Sequence, residues 1–218
     1  MSRIGIMGGT FNPIHNAHVA MAKQAYKQAD LDKVLFMPSK NPPHKSSANI
    51  LPENERAKMV KLAIKDIPYF NYSDFEIKRE GTTYSAQTVE LLHQQYPDDK
   101  FFFIMGADSF FQIETWYHPE QIMKRVVLLP VGRDDSDRVK MENQSRHLGE
   151  KYDAKVKLIE MDKMHISSSN IRKMISEDKD VSKFLSPSVW NYIKKNNFYR
   201  RPKLNVRWFT KYTVKIKK

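Results

Sequence analysis

The sequence predicts an α/β fold in three layers, with a mostly parallel sheet between two layers of helices. Apolar runs rich in β-branched and aromatic residues alternate with segments of helical spacing as far as residue 159. Parallel neighbours in a sheet need a crossover connection, which is normally a right-handed helix. Only helical segments follow residue 159, so the C-terminal part is predicted to be helical.

Six strands are predicted in chain order. Helical spacing follows the first three, in the segments AHVAMAKQAYKQA, PENERAKMVKLAIKD and SAQTVELLHQQY, and two more helical segments, SSSNIRKMISE and SPSVWNYIKKN, follow the sixth. Ligands bind beyond the carboxyl ends of the strands in an open parallel sheet, so the loop after the first strand is the first candidate site. The predicted strands are Arg3–Met7, Lys33–Met37, Asn71–Ile77, Lys100–Met105, Val126–Val131 and Val156–Ile159.

The composition is that of one globular domain followed by a basic tail. Residues 200–218 contain eight Lys or Arg and no acid, so only four of the twelve net positive charges belong to residues 1–199. Short basic ends are more often solvated than bound to nucleic acid, so no nucleic-acid partner is expected. The absence of cysteine excludes a disulfide framework and a thiolate nucleophile. No signal peptide or membrane-spanning run is recognisable, and a cytoplasmic location is expected.

The segment GGTFNPIHNAH, residues 8–18, directly follows the first predicted strand. Gly8 and Gly9 allow a backbone to approach an anion closely and to adopt φ values that other residues avoid. His15 and His18 share one face if a helix begins near residue 16, and a helix N-terminus favours negative charge. The segment therefore predicts a polyphosphate site. A metal site is not favoured, because no third ligand has suitable local spacing.

This segment resembles the signature loop of the HxGH nucleotidyltransferases, which transfer a nucleotidyl group from a nucleoside triphosphate and release pyrophosphate. Five later segments are similar, in order, to the bacterial nicotinate mononucleotide adenylyltransferases: PSKNPPHK (38–45), REGTTYSAQTVELL (79–92), FIMGADSFFQIETWYHPEQI (103–122), ISSSNIR (166–172) and VWNYIKKNNFY (189–199). Ordered matches over residues 3–199 are more specific than one glycine-rich loop. The resemblance implies a Rossmann-like fold for a domain at 1–199, with a tail of unknown role at 200–218.

The resemblance also implies the residues of the site. The implied ATP-binding residues are Gly8, Gly9, Thr10, Phe11, His15, His18, Gly106, Asp108, Ile166, Ser168 and Arg172. The implied mononucleotide-binding residues are Asn12, His44, Lys45, Thr83, Tyr84, Ser85 and Trp116. Among all of these, the implied catalytic residues are His15, His18, Lys45 and Arg172. Mg²⁺ is implied as a companion of ATP, and a homodimer is the family expectation.

Four residues depart from the family pattern: Asn12, Ala17, Ser85 and Gln87. Asn12 stands where Asp is frequent, so its role would be hydrogen bonding rather than charge. Ala17 stands where Gly is frequent, which costs little in a helix.

Several implied ligands also have a structural interpretation. A histidine considered alone is more often a surface or capping residue than a ligand. The serines of ISSSNIR would cap a helix, Asp108 would be the N-cap of the helix after the fourth strand, and Trp116 would fill the core.

The implied reaction joins ATP and nicotinate mononucleotide to give nicotinate adenine dinucleotide and pyrophosphate. One alternative is a sister adenylyltransferase acting on nicotinamide mononucleotide or phosphopantetheine, which would differ in the GTTYSAQT and ETWYH regions. Another is a non-catalytic nucleotide-binding or nucleic-acid-binding module, which the basic tail favours. His15, His18 and Arg172 argue against that module, because together they suit phosphate binding.

Overall fold

One parallel sheet organises the chain in the computed structural model, which describes residues 1–40, 50–132, 135–162 and 164–200. The strands are β1 (Arg3–Gly9), β2 (Lys33–Pro38), β3 (Phe70–Tyr72), β4 (Lys100–Gly106), β5 (Val126–Gly132), β6 (Lys155–Val156) and β7 (Ile159–Glu160). Their order in the sheet is β3-β2-β1-β4-β5, followed by β6 and β7, which pair with different parts of β5. Each pair of neighbouring strands in this sheet is parallel, as the sequence predicts.

Eight α-helices within these ranges cover both faces of the sheet, which confirms the three layers. They are α1 (Asn16–Gln28), α2 (Glu53–Ile64), α3 (Ser85–Gln95), α4 (Ala107–Phe111), α5 (Pro119–Arg125), α6 (Asp135–Tyr152), α7 (Ser168–Ser176) and α8 (Pro187–Lys195). One buried cluster joins the sheet to α1, α2, α7 and α8, and a second joins it to α3, α4, α5 and α6. None of the described helices is long and apolar enough to cross a membrane.

Strand β4 shows why the central strands are recognisable from sequence. Phe101, Phe103 and Met105 belong to the cluster on the α3–α6 face, whereas Phe102 and Ile104 belong to the other. Side chains alternate between the faces of a strand, and both faces of this one are buried. A continuous apolar run is the result.

Two predicted strands differ from the structure. The third, predicted at Asn71–Ile77, ends at Tyr72, and the next residues form a turn in which the Lys78 amide donates to the Asp74 carbonyl at 3.0 Å. The sixth, predicted at Val156–Ile159, is divided into β6 and β7. Between them, the Lys157 amide still donates to the Leu128 carbonyl of β5 at 2.9 Å.

The sequence order of the strands reverses at β1, which lies between β2 and β4. This is the order of a Rossmann-like sheet, in which the crevice at the carboxyl ends binds ligands. The register pairs Ile6 of β1 with Phe103 of β4, so the ends of both strands open at the same edge. The GGTFNPIHNAH loop and the start of α4 therefore meet there.

Candidate active site

The signature loop has its left-handed residue at Phe11, with φ 48°, and not at Gly8 or Gly9. The expectation of unusual φ values at these glycines is therefore wrong. The expectation that a glycine permits a close approach is correct at Gly9, where the Phe11 ring packs against the backbone. A Cβ there would lie 3.2 Å from the Phe11 ring, which is tighter than ordinary contact. Gly8 is exposed at the end of β1, and Thr10 beyond it is buried. The loop backbone thus follows a path fixed by the Phe11 ring.

The two histidines lie side by side at the start of α1, as predicted. His15 is the N-cap residue, and its ring stacks on that of His18 with centroids 3.7 Å apart. The His15 amide donates to His18 Nδ1 at 3.2 Å. A backbone N–H can only donate, so Nδ1 is the acceptor and a neutral His18 ring carries its proton on Nε2. The Phe11 ring also contacts the His18 ring edge-to-face, with centroids 5.2 Å apart, and this contact further fixes the His18 ring.

The start of α7 packs directly against this loop. Ser168 Oγ donates to the Pro13 carbonyl at 2.9 Å, and Arg172 Nη1 donates to the Asn12 carbonyl at 2.8 Å. Ser167 is the N-cap, since its side chain accepts from the Asn170 amide. The capping interpretation of the serines is therefore confirmed for Ser167. The fold also brings Ser168 and Arg172, 155 and 160 residues away from their partners, to the loop that carries both histidines.

Asn12 is buried, and its neutral side chain acts through hydrogen bonds, as predicted. Its Oδ1 accepts from the Leu51 amide at 3.2 Å and from the Tyr199 hydroxyl at 2.8 Å. Burial raises the pKa of Tyr199 strongly, while the nearby Arg172 and Arg56 guanidinium groups oppose the shift. Tyr199 therefore stays protonated and remains a donor. The segment that follows α8 is tied in this way to the signature loop.

The end of β4 places Gly106 and Asp108 at the same edge of the sheet. Gly106 is the N-cap residue of α4, and Asp108 is an exposed residue one position inside the helix. The alternative role of Asp108 as an N-cap is therefore wrong, because α4 begins at Ala107, two residues earlier than that role requires. Ile166 lies just before α7, half-buried against the α1–α2 face.

Trp116 is half-buried against the cluster on the α3–α6 face of the sheet. Its ring contacts the Phe103 ring edge-to-face, with centroids 6.0 Å apart. A Cβ on Gly8 would lie 3.7 Å from that same Phe103 ring. The core interpretation of Trp116 is thus correct for part of its surface only. The Phe103 ring therefore lies next to both the Trp116 indole and Gly8 at the end of β1.

The start of α3 contributes the other implied mononucleotide residues. Thr83 is buried, Tyr84 is the N-cap residue and Ser85 begins the helix. The Tyr84 ring packs on the Tyr117 ring, with centroids 4.3 Å apart. This contact places the start of α3 beside the segment that carries Trp116.

A partly buried polar network connects α3 to the turn that precedes it. Thr88 Oγ1 donates to Glu76 Oε1 at 2.8 Å, and Arg79 donates to both Thr88 Oγ1 and Gln87 Oε1 at 2.8 Å. Burial raises the pKa of Glu76, and the Thr88 hydrogen bond and the Arg79 charge oppose that shift. Gln87, one of the departures from the family pattern, thus serves as an acceptor for Arg79.

Glu114 anchors the segment just before Trp116 to α6. It accepts from Lys151 Nζ at 2.9 Å and from the Tyr152 hydroxyl at 3.0 Å, and it contacts His147 Nε2 at 3.1 Å. These donors, Lys151 first, lower the pKa of Glu114 to about 2. The carboxylate therefore stays ionised at neutral pH and holds this segment in place.

The chain is similar to known proteins over most of its length. A family model described as Cytidylyltransferase-like matches residues 6–174. A protein of Lachnoclostridium phytofermentans named "Probable nicotinate-nucleotide adenylyltransferase" is 42% identical over 199 residues, which cover 91% of this chain and 100% of the relative. A protein of the same name from Carboxydothermus hydrogenoformans is 39% identical over 91% of this chain and 98% of its own length.

This chain belongs to the nicotinate-nucleotide adenylyltransferases. The fold agrees: the solved structure of Plasmodium falciparum nicotinic acid mononucleotide adenylyltransferase complexed with NaAD superposes with a TM-score of 0.74. It is 22% identical, with coverage of 91% of this chain and 98% of that one.

Two of the residues predicted for this adenylyltransferase, His44 and Lys45, lie outside the described residues. Two other residues at the site were not given a role by sequence reasoning: Arg56 and Tyr199. Arg56 has a recognisable signal, because it lies four and eight residues before the buried Val60 and Ile64 of α2. A charge on the apolar face of a helix requires buried partners. Tyr199 has no such signal, since its partner is 187 residues away.

Proposed function

We propose that this chain transfers the adenylyl group of ATP to nicotinate mononucleotide, giving nicotinate adenine dinucleotide and pyrophosphate. One observation carries the proposal: the two carbonyls of Asn12 and Pro13 connect the His15–His18 pair to Arg172 and Ser168. Phosphate donors from two distant parts of the sequence thereby converge on one loop. The named relatives match 91% of this chain at up to 42% identity.

The triphosphate is proposed to lie across the N-termini of α1 and α7. Both helix starts present N–H groups and positive dipole ends to the same loop, and such starts favour anions. His18 donates from Nε2, and the Arg172 guanidinium offers further N–H groups besides the one bonded to Asn12. Gly106 and Asp108 are proposed to hold the adenosine part, since they end the neighbouring strand.

The mononucleotide is proposed to lie on the Trp116 side of the loop. A half-buried indole presents its remaining surface to a ring of the substrate, and stacking on pyridine uses that surface. The start of α3 faces the same region through the Tyr84–Tyr117 contact. Donor and acceptor therefore meet near Gly8, where the two halves of the site adjoin.

The chemistry requires positioning and charge stabilisation. The phosphate oxygen of the mononucleotide attacks the α-phosphorus of ATP, a new P–O bond forms, and the bond to the β-phosphate oxygen breaks with its electron pair leaving on pyrophosphate. No protein nucleophile takes part. His15, His18, Arg172 and Lys45 are proposed to stabilise the charge on the α-phosphate and the departing pyrophosphate.

Magnesium is proposed to enter as part of the nucleotide substrate. Within the described parts of the chain, no group of three or more His, Cys, Asp or Glu residues could hold a metal ion. Oxygen ligands from the triphosphate suit Mg²⁺, which keeps several waters and is often bound largely through phosphates. The homodimer expected from the family stays a prediction.

The proposed function is tested by measuring pyrophosphate release with ATP and one acceptor at a time. Nicotinate mononucleotide is expected to give release with a dinucleotide product of matching amount. Nicotinamide mononucleotide and phosphopantetheine are expected to give much less. Faster release with either of these would assign the chain to a sister activity. Absence of release with every acceptor would favour the non-catalytic module.

Replacing Trp116 by alanine is expected to raise the KM for nicotinate mononucleotide about tenfold to a hundredfold. An aromatic stack on a base is worth roughly 1–3 kcal/mol by alanine substitution. The KM for ATP should change little, because the indole lies on the acceptor side. Steady-state kinetics with each substrate varied in turn measures the difference.

The control is Trp190→Ala, which removes another half-buried indole from α8 on the opposite face of the sheet. It should lower the melting temperature without a selective change in either KM. If Trp116→Ala instead lowers the melting temperature and raises both KM values equally, Trp116 acts only in packing, whose loss costs roughly 3–5 kcal/mol in a full core.

A further inference from the structure

Arg56 is one of the most deeply buried side chains of the protein, although it carries a charge. Its exposure is 1%, and it lies on the inner face of α2 with Ala57, Met59 and Val60. Removing a guanidinium from water is unfavourable unless its donors are satisfied. Burial lowers its pKa, and the negative charge of Glu53 opposes this shift. An arginine remains protonated even so.

The donors of Arg56 go to backbone carbonyls of three separate segments. Nε donates to the Leu51 carbonyl at 2.9 Å, Nη1 to the Thr10 carbonyl at 2.8 Å and Nη2 to the Lys40 carbonyl at 3.2 Å. Every nitrogen of the planar guanidinium is therefore used. Because the plane fixes the directions of these donors, the three carbonyls are held at fixed separations.

These three segments all adjoin the proposed site. Thr10 lies in the signature loop between Gly9 and Phe11, and Phe11 contacts the His18 ring. Lys40 directly precedes 41–49, the segment that contains Lys45, and Leu51 lies two residues after it. Leu51 makes a second link to the signature loop, because its amide donates to Asn12 Oδ1.

We propose that Arg56 is a positioning residue for adenylyl transfer, in which one buried guanidinium sets the spacing between the signature loop and both flanks of segment 41–49. The proposal rests on the proposed function. Lysine cannot replace it, since an ammonium is a single point of charge that cannot reach three carbonyls in one plane. A displacement of about 1 Å in a catalytic group can lower a rate about a hundredfold.

The first test compares Arg56→Lys with wild type. We expect kcat to fall about a hundredfold while the variant still melts cooperatively above the assay temperature. The matched control is Arg125→Lys, at the end of α5, where the side chain bonds Gln121 and Glu90 near the amino end of β5. That control should keep wild-type kcat. Wild-type kinetics in Arg56→Lys would overturn the proposal.

The second test is chemical rescue of Arg56→Ala. We expect guanidinium at non-denaturing millimolar concentration to restore kcat in a saturable way, because the ion refits between the three carbonyls. Ammonium at equal ionic strength should not do so, and guanidinium should not rescue His18→Ala. Rescue is a readout that loss of stability alone would not give.

Several outcomes would overturn the proposal. Activity of Arg56→Ala that falls only with its folded fraction, without rescue, would show that Arg56 serves stability alone. Failure of both variants to fold would lead to the same conclusion. Wild-type protein that releases no pyrophosphate with any acceptor would instead overturn the proposed function itself, so the two failures are distinguishable.

Discussion

Replacing His18 by alanine is expected to lower kcat by about two to three orders of magnitude, the effect of losing one preorganised donor to a developing charge. The ring is fixed before substrate binds, by the His15 amide at Nδ1, by stacking on His15 and by the Phe11 edge. Its Nε2 proton is therefore aimed without further reorganisation. The KM for ATP should change less than kcat.

A second substitution separates the two ring nitrogens. Asparagine places a side-chain oxygen near the position of Nδ1, so His18→Asn can still accept from the His15 amide but has no group at Nε2. We expect it to melt like wild type and to be as slow as His18→Ala. His18→Gln, whose side-chain amide nitrogen reaches the position of Nε2, should restore part of the rate. Steady-state kinetics and thermal melts of the three variants test this.

The control is His93→Ala. His93 contacts the Arg125 carbonyl at 2.6 Å and packs edge-to-face on Phe101, near the amino ends of β4 and β5. Its loss should lower the melting temperature and leave kcat unchanged. Near-wild-type turnover in His18→Ala would remove His18 from the catalytic residues, and equal losses in both variants would indicate a general effect on folding.

Most of the fold could be predicted because its central strands are buried on both faces. Such strands are continuous apolar runs, and the alternating helices leave a parallel sheet as the simplest arrangement. The prediction was wrong where a polar contact overrides the pattern. Glu76, included in the third predicted strand, is instead buried in a turn against Thr88.

The helices that the sequence did not reveal are the short or polar ones. Helix α6 spans 18 residues, yet only Met141 and Leu148 are buried among its described side chains. Two apolar contacts seven residues apart give no clear helical stripe. Helices α4 and α5 have five and seven residues, too few for a periodic pattern.

The candidate site, like the fold, could be predicted from the sequence only in part. The His15–His18 pair of the proposed phosphate site is local in sequence, so a strand, a loop and a helix start in succession suffice to predict it. The bonds that fix this part are not local, since Arg56 and Tyr199 bond Thr10 and Asn12 across 46 and 187 residues. The φ of the loop also escaped prediction, because Phe11 and not a glycine takes the left-handed conformation. Packing of its ring under Gly9 accompanies that conformation.

Replacing Arg172 by alanine is expected to lower kcat/KM for ATP by about three orders of magnitude, in the lower range for an arginine that stabilises phosphoryl-transfer charge. One nitrogen of Arg172 donates to the Asn12 carbonyl at 2.8 Å, which orients the guanidinium beside the signature loop. The proposed partner is the part of the triphosphate that leaves as pyrophosphate. Lysine should recover little of the rate, because it cannot make the bond to Asn12 and a two-pronged phosphate contact together.

The reverse reaction provides the sharper measurement. If Arg172 binds the leaving group, Arg172→Ala should raise the KM for pyrophosphate in dinucleotide cleavage and leave the KM for nicotinate adenine dinucleotide nearly unchanged. Lys173→Ala is the matched control, since it removes one positive charge from the next, exposed position of α7. That control should alter neither constant. Equal increases in both constants for Arg172→Ala would contradict pyrophosphate binding and would instead indicate that Arg172 acts by holding the Asn12 carbonyl and the shape of the loop.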